Sequence, residues 1–110
     1  MSVNKLIIDT LKPLNTPVSF QAYSGTASTY ITFFIYNELG EAYSENKEKA
    51  TGFYVQVDIW SKTDYTQLAK DVKTAMENAG FKRTSGADLY ESETETYHKA
   101  IRFVYVQAND

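Results

Sequence analysis

The chain has 110 residues, 43% of them hydrophobic and 23% charged, with a formal net charge of −3. That is one domain's length, enough to bury roughly 65% of the unfolded surface around a single core. No stretch approaches the about 18 apolar residues of a membrane span, and the acidic balance opposes direct nucleic-acid binding, which needs clustered Lys and Arg. Cysteine is absent, which excludes a disulfide framework, thiol chemistry and the common structural zinc sites and fits a reducing compartment. Met1 to Lys5 lacks the charged start and apolar stretch of a secretory signal. The expectation is one domain, 1–110, that stays where it is made.

Val3, Leu6, Ile7, Leu11 and Leu14 recur at helical spacing, and Pro13 stops the pattern, so a short N-terminal helix is expected over 2–12. After the turn at Asn15-Thr16-Pro17, residues 18–23 alternate with the two-residue period of a strand. Ser24 to Ser28 reads as a turn, and too few glycines precede any helix there for a phosphate cradle. Residues 30–36 form a second strand, with Ile31, Phe33 and Ile35 on one face and Tyr30, Thr32, Phe34 and Tyr36 on the other. From Glu38 to Thr51 the periodicity fails among Glu38, Glu41, Glu45, Lys47, Glu48 and Lys49, which reads as a solvated loop or flap.

A third strand, 53–60, points Phe53, Val55, Val57 and Ile59 to the core and Tyr54, Gln56, Asp58 and Trp60 away from it. Over 64–79 the residues Tyr65, Leu68, Ala69, Val72, Ala75, Met76 and Ala79 make one apolar helical stripe, opened by an Asp64–Gln67 capping box and closed by Gly80 in a left-handed conformation. A short strand over 81–84 and a paired stretch at 89–91 precede the last strand, 97–105. The fold class is therefore α+β: a mostly antiparallel sheet with two helices packed on one face, in the order α-β-β-β-α-β-β.

Candidate chemistry is sparse. His98 is the sole histidine, no Gly-x-Ser-x-Gly or His-Glu-x-x-His motif is present, and a structural role for His98 outweighs a catalytic one. Asp58 lacks the second carboxylate that acid–base pairs require, and a salt bridge to Arg102 is the better expectation. Glu91-Ser92-Glu93-Thr94-Glu95 has the charge of a cation site without its ligand spacing. No catalytic, cofactor-binding or metal-ligating residue is assigned.

The positive signal is aromatic: nine Tyr, six Phe and one Trp. Strand propensity accounts for much of it, yet Tyr and Trp also suit protein interfaces, where an apolar body is buried and a polar tip stays satisfied. With both helices on one face, Tyr30, Phe34, Tyr36, Tyr54 and Trp60 share the other. A partner covers that face, or a segment of the same chain does. These five, with Glu41, Tyr43, Glu45 and Lys47 of the flap, are the candidate interface residues.

Three segments carry a resemblance. Val55-Gln56-Val57-Asp58-Ile59-Trp60, the helix pattern Leu68-Ala69, Val72, Ala75-Met76, and Asp88-Leu89-Tyr90 with Tyr97-His98-Lys99-Ala100-Ile101-Arg102-Phe103 resemble the tail completion, or tail-to-head joining, proteins of long-tailed phages, the tail terminators. The match covers roughly the C-terminal half. It implies a non-enzymatic assembly protein that closes as a homo-hexamer ring on the last tail-tube ring, stops elongation and presents a surface to the neck of the head. Its partners would be itself, the tail-tube protein and a head-neck connector protein, and its place the tail–head junction of the virion after synthesis in the host bacterial cytoplasm. Another neck or head-completion protein, or a small ligand-binding α+β domain with the aromatic face lining a pocket, are the alternatives.

Overall fold

The computed structural model describes residues 2–44 and 47–109, with the backbone alone for 42–44. Helix α1 (Val3–Leu11) runs into a single 3-10 turn at Lys12–Leu14. Ser2 caps α1 by accepting a hydrogen bond from the Lys5 N–H at 3.0 Å, and Pro13 ends the α-helical ladder, as its missing N–H requires. Strand β1 (Val18–Phe20) follows, then the long hairpin β2 (Tyr30–Ser44) and β3 (Lys47–Ser61), helix α2 (Thr66–Asn78), and strands β4 (Lys82–Glu91) and β5 (Thr96–Ala108). The five strands form one sheet in the order β1-β2-β3-β5-β4, antiparallel except for the short parallel pair β1–β2. The class and element order are those expected from the sequence.

Both helices pack on one face. Ile7 and Leu11 of α1 and Val72 and Met76 of α2 join Ile31 and Phe33 of β2, Val55, Val57 and Ile59 of β3, and Ile101 and Phe103 of β5 in a single buried cluster. Strand register explains the convergence: Phe33 pairs with Val57 and Val57 with Ile101, so the odd positions of three strands face the same helices. Burying each such aliphatic side chain contributes about 1.5–3 kcal/mol. Helix α2 closes as anticipated at Gly80, whose φ of 101° lies in the left-handed region. The Gly80 N–H donates to the Glu77 carbonyl and the Phe81 N–H to the Met76 carbonyl, both at 3.0 Å, and Phe81 folds onto the core.

Three expectations are corrected. Residues 38–51 are not a loop: apart from 45 and 46, which lie outside the described residues, they continue the ladder, with Gly40 opposite Thr51 and Glu41 opposite Ala50. Their periodicity is lost because the ribbon extends past the helix layer: Ala50 is buried, but Glu38, Leu39, Lys47, Glu48 and Lys49 are exposed whichever face they lie on. Fifteen residues per strand at about 3.4 Å each account for a long axis of 52 Å. Second, 82–84 and 89–91 are parts of one strand, β4, bulged between Arg83 and Ser85 and exposed at every position, while Phe81 precedes it and is buried in the core. Third, the capping box does not form. Asp64 does accept from the Thr66 N–H at 2.8 Å, but Gln67 turns along the helix to donate to Asp71.

Candidate functional site

The face of the sheet away from the helices carries rows of side chains set by register. Tyr30, Trp60, His98 and Leu89 are cross-strand neighbours in one row, Thr32, Asp58, Ala100 and Ala87 in the next, and Phe34, Gln56, Arg102 and Ser85 in a third. All five aromatic residues expected on this face are there. A bulge between Ile35 and Asn37 keeps Tyr36 and Asn37 on the same side, opposite the single residue Tyr54.

The first row is a continuous aromatic stack. Tyr23, from the loop after β1, lies over Tyr30 at 4.3 Å between centroids, Tyr30 lies beside Trp60 at 6.1 Å, and Trp60 stacks on His98 at 3.9 Å. The indole N–H donates to Thr32 Oγ1 at 3.0 Å, which satisfies the one polar atom of Trp60. Beside the stack runs a polar chain. Arg102 Nε donates to Gln56 Oε1 at 3.1 Å, Gln56 Nε2 donates to Asp58 Oδ1 at 2.8 Å, and His98 Nε2 lies 2.6 Å from the same oxygen. Asp58 is 4% exposed, so both donors are needed to keep its carboxylate from standing buried and unpaired.

The expected Asp58–Arg102 salt bridge is therefore replaced by Asp58–His98. The partner of Asp58 on β5 is Ala100, flanked by His98 and Arg102 two residues to either side. His98 reaches the carboxylate, while Arg102 extends along Gln56 until its guanidinium sits 4.4 Å above the Tyr36 ring. Sequence reasoning placed Gln56 on this face and paired Arg102 with Asp58, but it did not foresee His98 as the partner of Asp58 or Gln56 as the bridge to Arg102. The period-two alternation through 98, 100 and 102 puts His98 on the same face as Arg102, the signal that makes it an equal candidate for Asp58.

Of the remaining expected residues, Glu41 lies on the open face and accepts from the Tyr54 hydroxyl at 3.1 Å, folding over Gly52, where an added Cβ would meet its Oε1 at 2.9 Å. That hydrogen bond is the largest cause of a raised Tyr54 pKa. Lys47 is exposed at the far end of the hairpin. Tyr43 is in β2 opposite Glu48, its side chain outside the description, and Glu45 lies outside the described residues.

On the helix side, a cleft of about 560 Å³ is lined by Lys62, Thr63, Asp64, Tyr65, Thr66, Asp88 and Tyr97. Several of its polar groups are already hydrogen-bonded. The Tyr65 hydroxyl donates to Asp88 Oδ1 at 2.7 Å, and Lys99 Nζ lies 3.2 Å from the same oxygen. Burial, with the hydrogen bond to Asp88 second, pushes Tyr65 up to about 12. The Tyr65 hydrogen bond and then Lys99 hold Asp88 below the usual carboxylate range, and the Thr66 hydroxyl and N–H do the same for Asp64. Among the described residues, no group of three or more His, Asp or Glu side chains is placed to hold a metal ion.

The fold and its exposed face define a class: a two-layer α+β domain whose sheet is covered by helices on one side and presents aromatic rows on the other. A chain of the structure titled "Virion of native gene transfer agent (GTA) particle" shares this fold, with a TM-score of 0.71 over 98% of the present chain and 96% of that one. Sequence identity between the two is 12%, so the likeness is one of fold. No family model matches the chain, and no curated protein matches it.

Proposed function

We propose that this chain is a structural subunit of a phage-type virion, and that within it six copies close as a ring on the end of the tail tube, stop elongation and join tail to head. The observation that carries the reading is the fold match to a chain of a gene transfer agent virion, which covers 98% of this chain and 96% of that one. A second feature supports the finer role. The segments that resemble tail terminators are far apart in sequence, yet Asp58 and Trp60 from one and His98 and Arg102 from another meet in a single patch on the open face. A patch of stacked aromatics with satisfied polar tips suits a permanent protein contact, and no reaction is required of it. The tail-tube protein and a head-neck connector protein are the partners, and the tail–head junction is the location.

The test is assembly in the presence and absence of the chain. With it, tail tubes end at a uniform length under a cap of this protein and accept heads. Without it, tubes overgrow and stay headless. Labelled protein found on the connector while tube length is unaffected would assign it to the neck or head-completion machinery instead. A protein that stays monomeric in the presence of both tubes and connectors would sink the reading.

A further inference from the structure

Two sheet edges are unpaired. At one end of the strand order lies β4, ten residues long and exposed throughout. At the other, β1 pairs with β2 only from Ile31 to Phe33, so among the described residues no strand pairs with the outer edge of β2 from Phe34 to Ser44. Both are long for edges, since strands average about 5–6 residues and exposed edges are usually kept short, charged or covered. The middle of β4, Ser85-Gly86-Ala87, is small and uncharged, so another backbone can approach it closely, and Leu89 and Tyr90 beyond it are 50% and 54% exposed.

We propose that in the ring, on whose existence this inference rests, β4 of one subunit pairs edge to edge with the free part of β2 of the next, making the sheets of neighbouring copies continuous. The occupant is a second copy because the two edges complement each other. β2 is antiparallel to β3, β3 to β5 and β5 to β4, so β4 runs opposite to β2 within the sheet. Rotation about an axis roughly along the strands therefore brings β4 of one copy beside β2 of the next in the antiparallel sense, the stronger pairing. Such a contact is heterologous and closes by repetition into a ring. Antiparallel pairing also sets Lys82 and Arg83, at the start of β4, against the distal part of β2 that carries Glu41, so opposite charges fall together. The ladder leaves the aromatic faces of successive copies on one side of a continuous wall, free for the tube or the connector.

The chain has no cysteine, so introduced pairs report contacts cleanly. Ala87→Cys is combined in turn with Asn37→Cys, Leu39→Cys and Glu41→Cys, four positions on the same face of the sheet, and each double variant is assembled on tail tubes and oxidised. The expected result is that one pairing yields a disulfide-linked ladder of increasing mass up to the full ring, lost on reduction and absent from the single variants. Capped tubes with no cross-link from any of the three pairs would overturn the edge pairing and leave the ring standing. Linked dimers alone would overturn it too, because a reciprocal contact cannot propagate. Failure of the wild-type chain to assemble on tubes at all would sink the ring reading and this inference together.

Discussion

The two faces of the sheet use the same strands and opposite chemistry. On the helix side, Phe33, Val55, Val57 and Phe103 are fully buried against α1 and α2, and the order there is that of close packing among apolar groups. On the open side no helix lies over the sheet, yet Thr32 and Asp58 are buried to nearly the same degree by their side-chain neighbours alone. There, order comes from stacking and a chain of hydrogen bonds. Packing against helices fixes the fold, while stacking and hydrogen bonds among its own side chains hold the second face in place. Rigid surfaces lose little conformational freedom on binding, which suits a docking face.

Neighbouring residues on opposite faces give the sharpest break of that comparison. Phe33→Ala, on the covered face, is expected to cost about 3–5 kcal/mol of stability, because the cavity it leaves adds to the lost transfer energy. Chemical denaturation of the free subunit measures it, and a loss below about 1 kcal/mol would mean that the helices do not hold the core as described.

Next in size is Asp58→Ala, expected to cost about 1–3 kcal/mol by leaving His98 and Gln56 without their acceptor in a buried setting. His98→Gln keeps a donor near Asp58 and should cost about 1 kcal/mol at most. If His98→Gln abolished an activity while leaving stability intact, the reading of His98 as a structural part of the face would be wrong.

Tyr36→Ala separates the two roles of the open face. Its side chain is more than a third exposed, so stability should change by no more than about 0.5 kcal/mol. Association with tube ends should weaken by more than about 1 kcal/mol, roughly fivefold in dissociation constant, if this aromatic anchors the contact. Trp60→Ala should weaken association at least as much, with some loss of stability from its stack and its bond to Thr32. Uncapped, overgrown tubes in complementation are the readout. Normal tube length with both variants would remove the open face from the docking role.

The smallest effect is expected at the cleft on the helix side, where Tyr65 titrates. Its folded pKa is raised from the ordinary 10.0 to about 12, so the folded state holds the phenol proton more tightly. The resulting stability is fully present below pH 10 and is lost as pH rises through about 12. The sign is opposite for Asp88, whose depressed pKa gives stability that is present at neutral pH and lost in acid as the carboxylate protonates. Tyr65→Phe should therefore flatten the alkaline limb of the stability profile and leave tube capping unchanged. A capping defect in this variant would move the functional surface to the helix side.

Much of this was legible in the sequence, and the part that was not has a common cause. Period-two alternation in 30–36 and 53–60 and the helical stripe from Tyr65 to Ala79 set which residues meet in the core, because a side chain's face follows from its position in a regular element. That is why Tyr30, Phe34, Tyr36, Tyr54 and Trp60 could be placed together before any coordinates, and Gly80 assigned its turn. Where side chains are exposed whichever face they lie on, alternation carries no information, so the 38–51 ribbon read as a loop and the ten residues of β4 as two fragments; only ladder pairing with strands distant in sequence decided them. The same holds for Asp58. Its burial on the open face and its choice of His98 over Arg102 depend on the β3–β5 register and on which side chain reaches the carboxylate first, and both are settled when the strands come together.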